Sequence, residues 1–465
     1  MADPQAQTLF EEVASYANGF LQELPQRPVR PSATLEEMRD ALDKPLPEDG
    51  MEAGMLIKEL TVAAEPGLLA TPSGRFFGFV IGGSMPATVA ADWLTSVWDQ
   101  NAGLYVASPA AAVAEEVAGR WLKELLGLPP GSSFGFVTGG QMANFTCLAA
   151  ARHHVLGAIG WDVQRKGLHG APSVRVLANA TRHDTIDRSL RYLGIGTDSI
   201  IPVASDDHGR MIEDELRRAL EASEGPTIVC AQAGNVNSGA CDSLAKVCAL
   251  AHEGSAWVHV DGAFGLWAAV SPTRQHLVEG IELADSWATD AHKWLNVPYD
   301  SGLAFCAHPE SHRAAMSVHA SYLIHAEGSE RDSMDWNPEF SRRARSFPVY
   351  AAIASLGRAG VTEMVDRCCD LAQHFAQLLA EDAGVDVLND VVLNQVLVRF
   401  LADNGDHDGK TRAVVRGVQE EGTCWMSGTT WQDMAAMRIS VSNWSTTKQD
   451  VEASAAAVLR VAHST

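Results

Sequence analysis

Between Phe134 and Ala307 short apolar or β-branched runs alternate with longer amphipathic ones, a rhythm that restricts the chain to a layered α/β fold. The spacing predicts strands at 134–137, 174–178, 200–203, 227–232, 257–260, 285–288 and 303–306. Helices fit between them at 141–157, 184–193, 212–222, 242–254 and 273–282. The expected core is a mainly parallel, seven-stranded, doubly wound sheet. Ligands of such sheets collect outside the carboxyl ends of the strands. The residues richest in chemistry follow those ends: Gly139-Gly140, Arg182-His183-Asp184, Asn235 and Asn237, Asp261-Gly262-Ala263, and Asp290-Ala291-His292-Lys293-Trp294.

The flanks read differently. After Asp335 long helices are predicted at 346–359 and 361–382, then strands at 394–400 and 437–442 and a closing helix at 448–461, a second and smaller α/β unit. Near the start, Leu9, Val13, Tyr16, Phe20 and Leu24 lie at helical spacing and form an apolar face that something must cover. Pro25, Pro28 and Pro31 then break the chain into an extended connector. The expected division is a helical segment 1–85, a large domain 86–335 and a small domain 336–465. Residues 320–335 are polar and turn-rich and are expected to be exposed and mobile.

Composition narrows the function classes. Acidic residues number 58 against 35 basic, a formal charge of −23 that repels a phosphate backbone, so nucleic acid is not an expected partner. No run approaches the roughly 18 apolar residues of a membrane span, and the N-terminus lacks the basic and apolar regions of a secretory signal. The eight cysteines show no zinc spacing, and reduced, packed thiols in a cytoplasmic protein are expected. No metal site is expected.

Lys293 and Asp261 organise the chemical reading. A lysine just beyond a strand can form a Schiff base with an aldehyde cofactor, and a carboxylate ending a neighbouring strand can keep the ring nitrogen of that cofactor protonated. Taken singly, each has a plain alternative, a surface lysine and a helix cap. Gly139 and Gly140, between a strand and a helix, let backbone N–H groups and the helix dipole meet a phosphate.

Four motifs in order, Thr138-Gly139-Gly140-Gln141-Met142-Ala143-Asn144, Arg182-His183-Asp184, His259-Val260-Asp261-Gly262-Ala263 and Asp290-Ala291-His292-Lys293-Trp294, carry a family likeness. From about Gly74 to Asp450 the chain resembles the group II pyridoxal-phosphate-dependent amino-acid decarboxylases, which include aromatic-L-amino-acid and glutamate decarboxylases. The resemblance implies the fold type I architecture, pyridoxal 5′-phosphate (PLP) as cofactor, and a homodimer wrapped by its N-terminal helices. It implies catalytic roles for Lys293, Asp261, His183 stacked on the cofactor ring opposite Ala263, and His292. It implies cofactor contacts from Gly139, Gly140, Gln141 and Asp290, while Asn235 and Asn237 are candidates for the phenolic oxygen. Substrate contacts are expected from Phe77 and Phe79 in the glycine-rich stretch 74–83, from Asn101 and Tyr322, and from Arg438, whose guanidinium matches a carboxylate.

The family's mobile-loop tyrosine, which returns a proton after carbon dioxide leaves, falls near Ser333 or Met334, and no tyrosine stands there. Decarboxylation of an L-amino acid is therefore the leading expectation. Oxidative deamination to an aldehyde, another carbon–carbon cleavage and aminotransfer are the alternatives, with a silent PLP-binding scaffold as the non-enzyme reading.

Overall fold

The computed structural model describes residues 4–222, 224–318 and 330–465. Its centre is a seven-stranded sheet in the order β1-β7-β6-β5-β4-β2-β3. The strands are β1 (Ser133–Val137), β2 (Arg175–Asn179), β3 (Ile200–Val203), β4 (Thr227–Gln232), β5 (Trp257–Asp261), β6 (Ser286–Asp290) and β7 (Gly302–Cys306). Neighbours from β3 to β6 run parallel, whereas β7 is antiparallel to both β6 and β1. β1, β4, β5, β6 and β7 are buried throughout, which is why they read as continuous apolar runs rather than alternating ones.

Among the described residues, fourteen α-helices accompany this sheet and its smaller companion. Helices α1 (Pro4–Glu23), α2 (Leu35–Leu42) and α3 (Ala53–Ala64) precede α4 (Pro86–Trp98) and α5 (Pro109–Leu125). Next come α6 (Gly140–Ala158), α7 (Val163–Lys166), α8 (Asp184–Tyr192), α9 (Glu213–Glu221), α10 (Leu244–Glu253) and α11 (Pro309–Met316). The predicted helix at 273–282 is instead two 3₁₀ turns, Gln275–Val278 and Ile281–Leu283. Gly280 between them adopts φ 83° and packs against the Ala245 backbone, so an α-helix cannot pass through it.

Two predicted helices after residue 345 form α12 (Ser346–Ala380), broken at Gly357, where φ is 60° and ψ 179°. Beyond it a four-stranded antiparallel sheet has the order β10-β11-β9-β8, with β8 (Val385–Val387), β9 (Gln395–Phe400), β10 (Ser427–Trp431) and β11 (Met434–Ser440). Helices α13 (His407–Glu421) and α14 (Lys448–Ser464) complete it.

Two features of packing position the site. Trp294, directly after Lys293, is fully buried, as are Trp267 and Trp287. Burying a side chain of this kind stabilises by roughly 1.5–3 kcal/mol, enough to pin the backbone that carries the lysine. On the other side, the glycine-rich stretch passes so close that a Cβ on Gly82 would lie 1.8 Å from the Lys293 carbonyl oxygen.

Candidate active site

One cleft opens at the carboxyl ends of β4, β5 and β6. It encloses about 450 Å³ of empty space, open mouth included, and is lined by Gly140, Asn144, His183, Asp261, Asp290 and Lys293 among others. A larger concavity, about 1160 Å³ counted the same way, lies between α2 and α3 beside Met38, Ala41 and Val62, and gathers no comparable set of functional groups.

Strand register explains the convergence. Gln232, Asp261 and Ala288 are direct partners across β4, β5 and β6, so the last residues of β4 and β5 lie level with a point two residues before the end of β6, and Asp290 extends just past them. Asp261 is nearly buried; its Oδ1 accepts the Ala263 N–H at 3.2 Å and its Oδ2 accepts Asn144 Nδ2 at 3.1 Å. Lys293 Nζ lies 3.0 Å from Asp290 Oδ2. Asp290 Oδ1 in turn accepts the Gly140 N–H at 2.5 Å, at the first residue of α6. A Cβ on Gly140 would stand 2.7 Å from Asp290 Oδ2, so only glycine lets helix and carboxylate approach this closely.

The two site histidines have their tautomers set by backbone donors. His183 is the N-cap of α8, and its Nδ1 accepts the Thr185 N–H at 3.2 Å. In the neutral ring the proton then sits on Nε2. His292 Nδ1 accepts the Ser301 N–H at 3.2 Å, and its Nε2 faces Asp290 Oδ1 at 3.4 Å. Burial pulls the His292 pKa down, against the pull of Asp290, and favours the neutral imidazole.

The donor set fits PLP. A helix N-terminus with a glycine cradle can take a phosphate, a lysine amine can take an aldehyde, and a carboxylate held by Asn144 and Ala263 can face a ring nitrogen. Ala263 and His183 both line the cleft and are available to the ring.

Several sequence candidates are not brought into this cleft. Phe77 is fully buried and packs edge-on against Phe375 at 5.4 Å, so it is a core aromatic. Phe79 is 55% exposed, with its ring 5.1 Å from that of Trp425. Asn235 spends its amide on Thr181 and its carbonyl on the Asn237 and Ser238 N–H groups, closing its own loop. Asn237 receives the Thr429 hydroxyl at 2.9 Å and joins the loop to β10. Gln232, Gly234 and Val236 line the cleft from this connection instead.

The Gln141 side chain turns to Ser189 in α8 at 2.9 Å, although the residue lines the cleft. Asn101 holds the Gly103 and Arg342 N–H groups and bridges to Arg343 rather than reaching the cleft. Tyr322 lies outside the described residues. Ser333 and Met334 are buried in a 3₁₀ turn, with the Met334 N–H bonded to Gly103 O, so this end of the 320–335 stretch is packed rather than exposed.

Arg438 is nearly buried on β11. Its Nη1 makes only long contacts, to Val236 O at 3.3 Å and Asn237 Oδ1 at 3.5 Å, and its Nε has no hydrogen-bond partner among the described residues. Burial draws its pKa down to about 10, which leaves it charged at neutral pH.

Asn144, Thr185, Gln232 and Phe264 were not singled out from sequence, yet all line the cleft. Helical spacing could have found Asn144, one turn beyond Gly140 on α6. Parallel register could have found Gln232, the partner of Asp261.

The model of the pyridoxal-dependent decarboxylase conserved domain matches residues 36–401. The chain is 26% identical over 439 residues to an aromatic-L-amino-acid decarboxylase of Bacillus atrophaeus, covering 92% of this chain and 89% of that one. It is also 26% identical over 432 residues to a 4-hydroxyphenylacetaldehyde synthase of Rhodiola rosea, covering 90% and 86%. The Oryza sativa TDC structure with PLP and tryptamine shares the fold at a TM-score of 0.93, with 22% identity over 100% of this chain and 99% of that one. With a matching domain over most of its length and a cleft built for the cofactor, the chain belongs to the pyridoxal-dependent decarboxylase family and is a PLP-dependent amino-acid carboxy-lyase.

Proposed function

We propose that Lys293 carries the cofactor, that Asp261 faces its ring nitrogen, and that His183 covers the ring face opposite Ala263. The observation that carries this reading is the convergence of the Lys293 amine, the Asp261 carboxylate and the α6 N-terminus on one cleft. Bound there, PLP supplies an aldehyde that captures the substrate amine and a ring that accepts the electron pair left by departing carbon dioxide.

The chain's own groups divide the remaining work. Asp290 holds the Lys293 ammonium at 3.0 Å and steadies Gly140. With the Gly140 N–H engaged by Asp290, the other N–H groups of the first turn of α6 take the phosphate. His183, with its proton on Nε2, can deliver that proton to the carbon that has lost its carboxylate. Arg438, a buried cation without a carboxylate partner among the described residues, receives the anionic group of the substrate beyond Val236.

A second reading concerns the product. With Ser333 and Met334 buried and no phenol at either position, reprotonation can be slow. The electron pair can then pass to dioxygen, and amino acid, O₂ and water give aldehyde, CO₂, ammonia and H₂O₂. A screen of L-amino acids that follows CO₂, amine and dissolved oxygen together tests both readings. Amine equal to CO₂ supports the decarboxylase; aldehyde with peroxide supports the oxidative branch. No CO₂ from any amino acid, or dependence on a 2-oxo-acid acceptor, overturns both.

We further propose a homodimer. On α1, Tyr16 is exposed and Leu9, Val13 and Phe20 are only partly covered, while Met55, Leu56 and Leu60 on α3 and Trp93, Val97 and Trp98 on α4 are exposed. Apolar surface on this scale calls for a partner. Light scattering of a chain starting at Pro31 should show dissociation or aggregation, and an intact active dimer would contradict the assignment. A reducing, cytoplasmic setting is part of the same proposal and is supported by eight buried, unpaired cysteines.

A further inference from the structure

Behind Asp261 runs a line of buried polar side chains. Trp257 Nε1 lies 2.9 Å from Ser286 Oγ, Ser286 Oγ 3.0 Å from His259 Nδ1, and His259 Nε2 2.8 Å from Asn144 Oδ1. Asn144 Nδ2 closes the line on Asp261 Oδ2 at 3.1 Å. Trp257 is 2% exposed, Asn144 1%, and Ser286 and His259 not at all, so no solvent mediates any link. Register places the members together: His259 and Ser286 are direct partners across β5 and β6, and His259 and Asp261 lie on the same side of β5.

Only one polarity satisfies every group. The indole can only donate, and an ionised carboxylate can only accept. Asn144 must therefore turn its amide nitrogen to Asp261 and its oxygen to His259, which fixes the imidazole proton on Nε2. Nδ1 is then bare and accepts the Ser286 hydroxyl, which itself accepts from Trp257. The opposite polarity would set the Asn144 oxygen against the Asp261 carboxylate.

We propose that Ser286, His259 and Asn144 are positioning residues, a one-way hydrogen-bond chain that holds the Asp261 carboxylate aimed at the ring nitrogen of the cofactor. The inference rests on the assignment of Asp261 to that nitrogen. Every donor in the chain points toward Asp261, and in a buried setting such bonds polarise one another. Burial, outweighing the attraction of the Asp261 charge, draws the His259 pKa down to about 4, so the ring stays neutral and the polarity holds at neutral pH.

Equilibrium dialysis of apoprotein against PLP and against its 1-deaza analogue, which has C–H in place of the ring nitrogen, separates aiming from packing. For His259→Leu the chain predicts PLP affinity lower by about tenfold, the size of one hydrogen bond to a charged group, with the analogue changed by less than about twofold. His259→Gln, whose amide can still donate to Asn144, should recover most of the loss. Asp261→Asn should also weaken PLP more than the analogue.

Equal loss for both ligands in His259→Leu, or no loss for either, overturns the chain. If Asp261→Asn does not distinguish the ligands, the ring-nitrogen assignment fails and takes the chain with it. Should His259→Leu not fold, ¹⁵N spectra of the wild-type apoprotein decide the matter. A His259 ring protonated on Nε2 alone, from about pH 5 to 8, is required, and an Nδ1–H tautomer or a doubly protonated ring contradicts the proposal.

Discussion

Two sets of aspartate and histidine side chains sit at opposite ends of the same strands and behave in opposite ways. At the carboxyl end of β5, Asp261 is linked through Asn144 to His259, fully buried, whose pKa is drawn down to about 4 by desolvation. At the amino end of β6, Asp285 accepts His308 Nε2 at 2.8 Å, His252 Nε2 at 3.0 Å and the Val258 N–H at 2.7 Å. There the Asp285 contact raises the His308 pKa, and although burial pushes Asp285 up, its three hydrogen bonds hold it low. Residue type does not decide the outcome. The half-exposed His308 imidazole touching a carboxylate is drawn toward its charged form, whereas one sealed from water and separated from its carboxylate by an amide remains a neutral conductor of polarity. The first arrangement ties surface elements together; the second prepares a site.

The sharpest way to break this contrast is to remove one charge from each end. Asp261→Asn should lower kcat by about 10²–10³, the cost of losing a preorganised electrostatic contact to the reacting system. Asp285→Asn should leave kcat within about twofold and lower only thermal stability. Steady-state rates at saturating PLP and melting curves check the pair, and a large kcat loss at Asp285 would erase the distinction.

Acid unfolding should then separate the two histidines by sign. His259 binds fewer protons folded than unfolded, so its neutral state contributes stability above pH 6.5 that is lost as pH falls toward about 4, roughly 3 kcal/mol in the ideal limit. His308, with a raised pKa, contributes stability that is full below pH 6.5 and fades as pH rises through its folded pKa. Denaturant unfolding of His259→Gln and His308→Gln across this range should therefore change the pH slope in opposite directions. Slopes moving the same way would refute a lowered pKa at His259 and a raised one at His308.

A smaller effect comes from glycines at the two ends. Gly82→Ala drives a methyl into the Lys293 carbonyl and should cost about 1–3 kcal/mol together with cofactor occupancy. Gly254→Ala, before the amino end of β5, meets only the Ala251 oxygen at 3.7 Å and should stay within about 1 kcal/mol. Melting temperature and bound PLP per chain distinguish them.

The same contrast shows what a sequence discloses. All seven strands of the main sheet were legible, because most of them are buried along their whole length and leave uninterrupted apolar runs, and so were the candidate residues that follow them. Side-chain direction was not. Phe77 and Phe79 sit two apart in one glycine-rich stretch, yet one packs on Phe375 and the other is largely exposed, because Phe79 and Val80 take φ 57° and 54° and turn the chain. Asn235 carried the right functional group but closes its own loop, a local capture that short polar side chains readily make. The helices of the N-terminal segment beyond α1 escaped notice because none of the side chains of α2 or α3 is buried within the chain, so no clean apolar stripe faces a core. Asn144 and His259 were visible only as motif letters, and their linkage needed the register of β5 with β6.

The central claim is that the cleft at the strand ends holds PLP through Lys293 and not merely a set of suggestive residues. Borohydride reduction of the yellow holoprotein followed by peptide mapping tests it most directly. The account predicts a single pyridoxyl adduct, on Lys293, abolished in Lys293→Ala while that variant still retains cofactor noncovalently. An adduct on any other lysine, or label undiminished in Lys293→Ala, would contradict it.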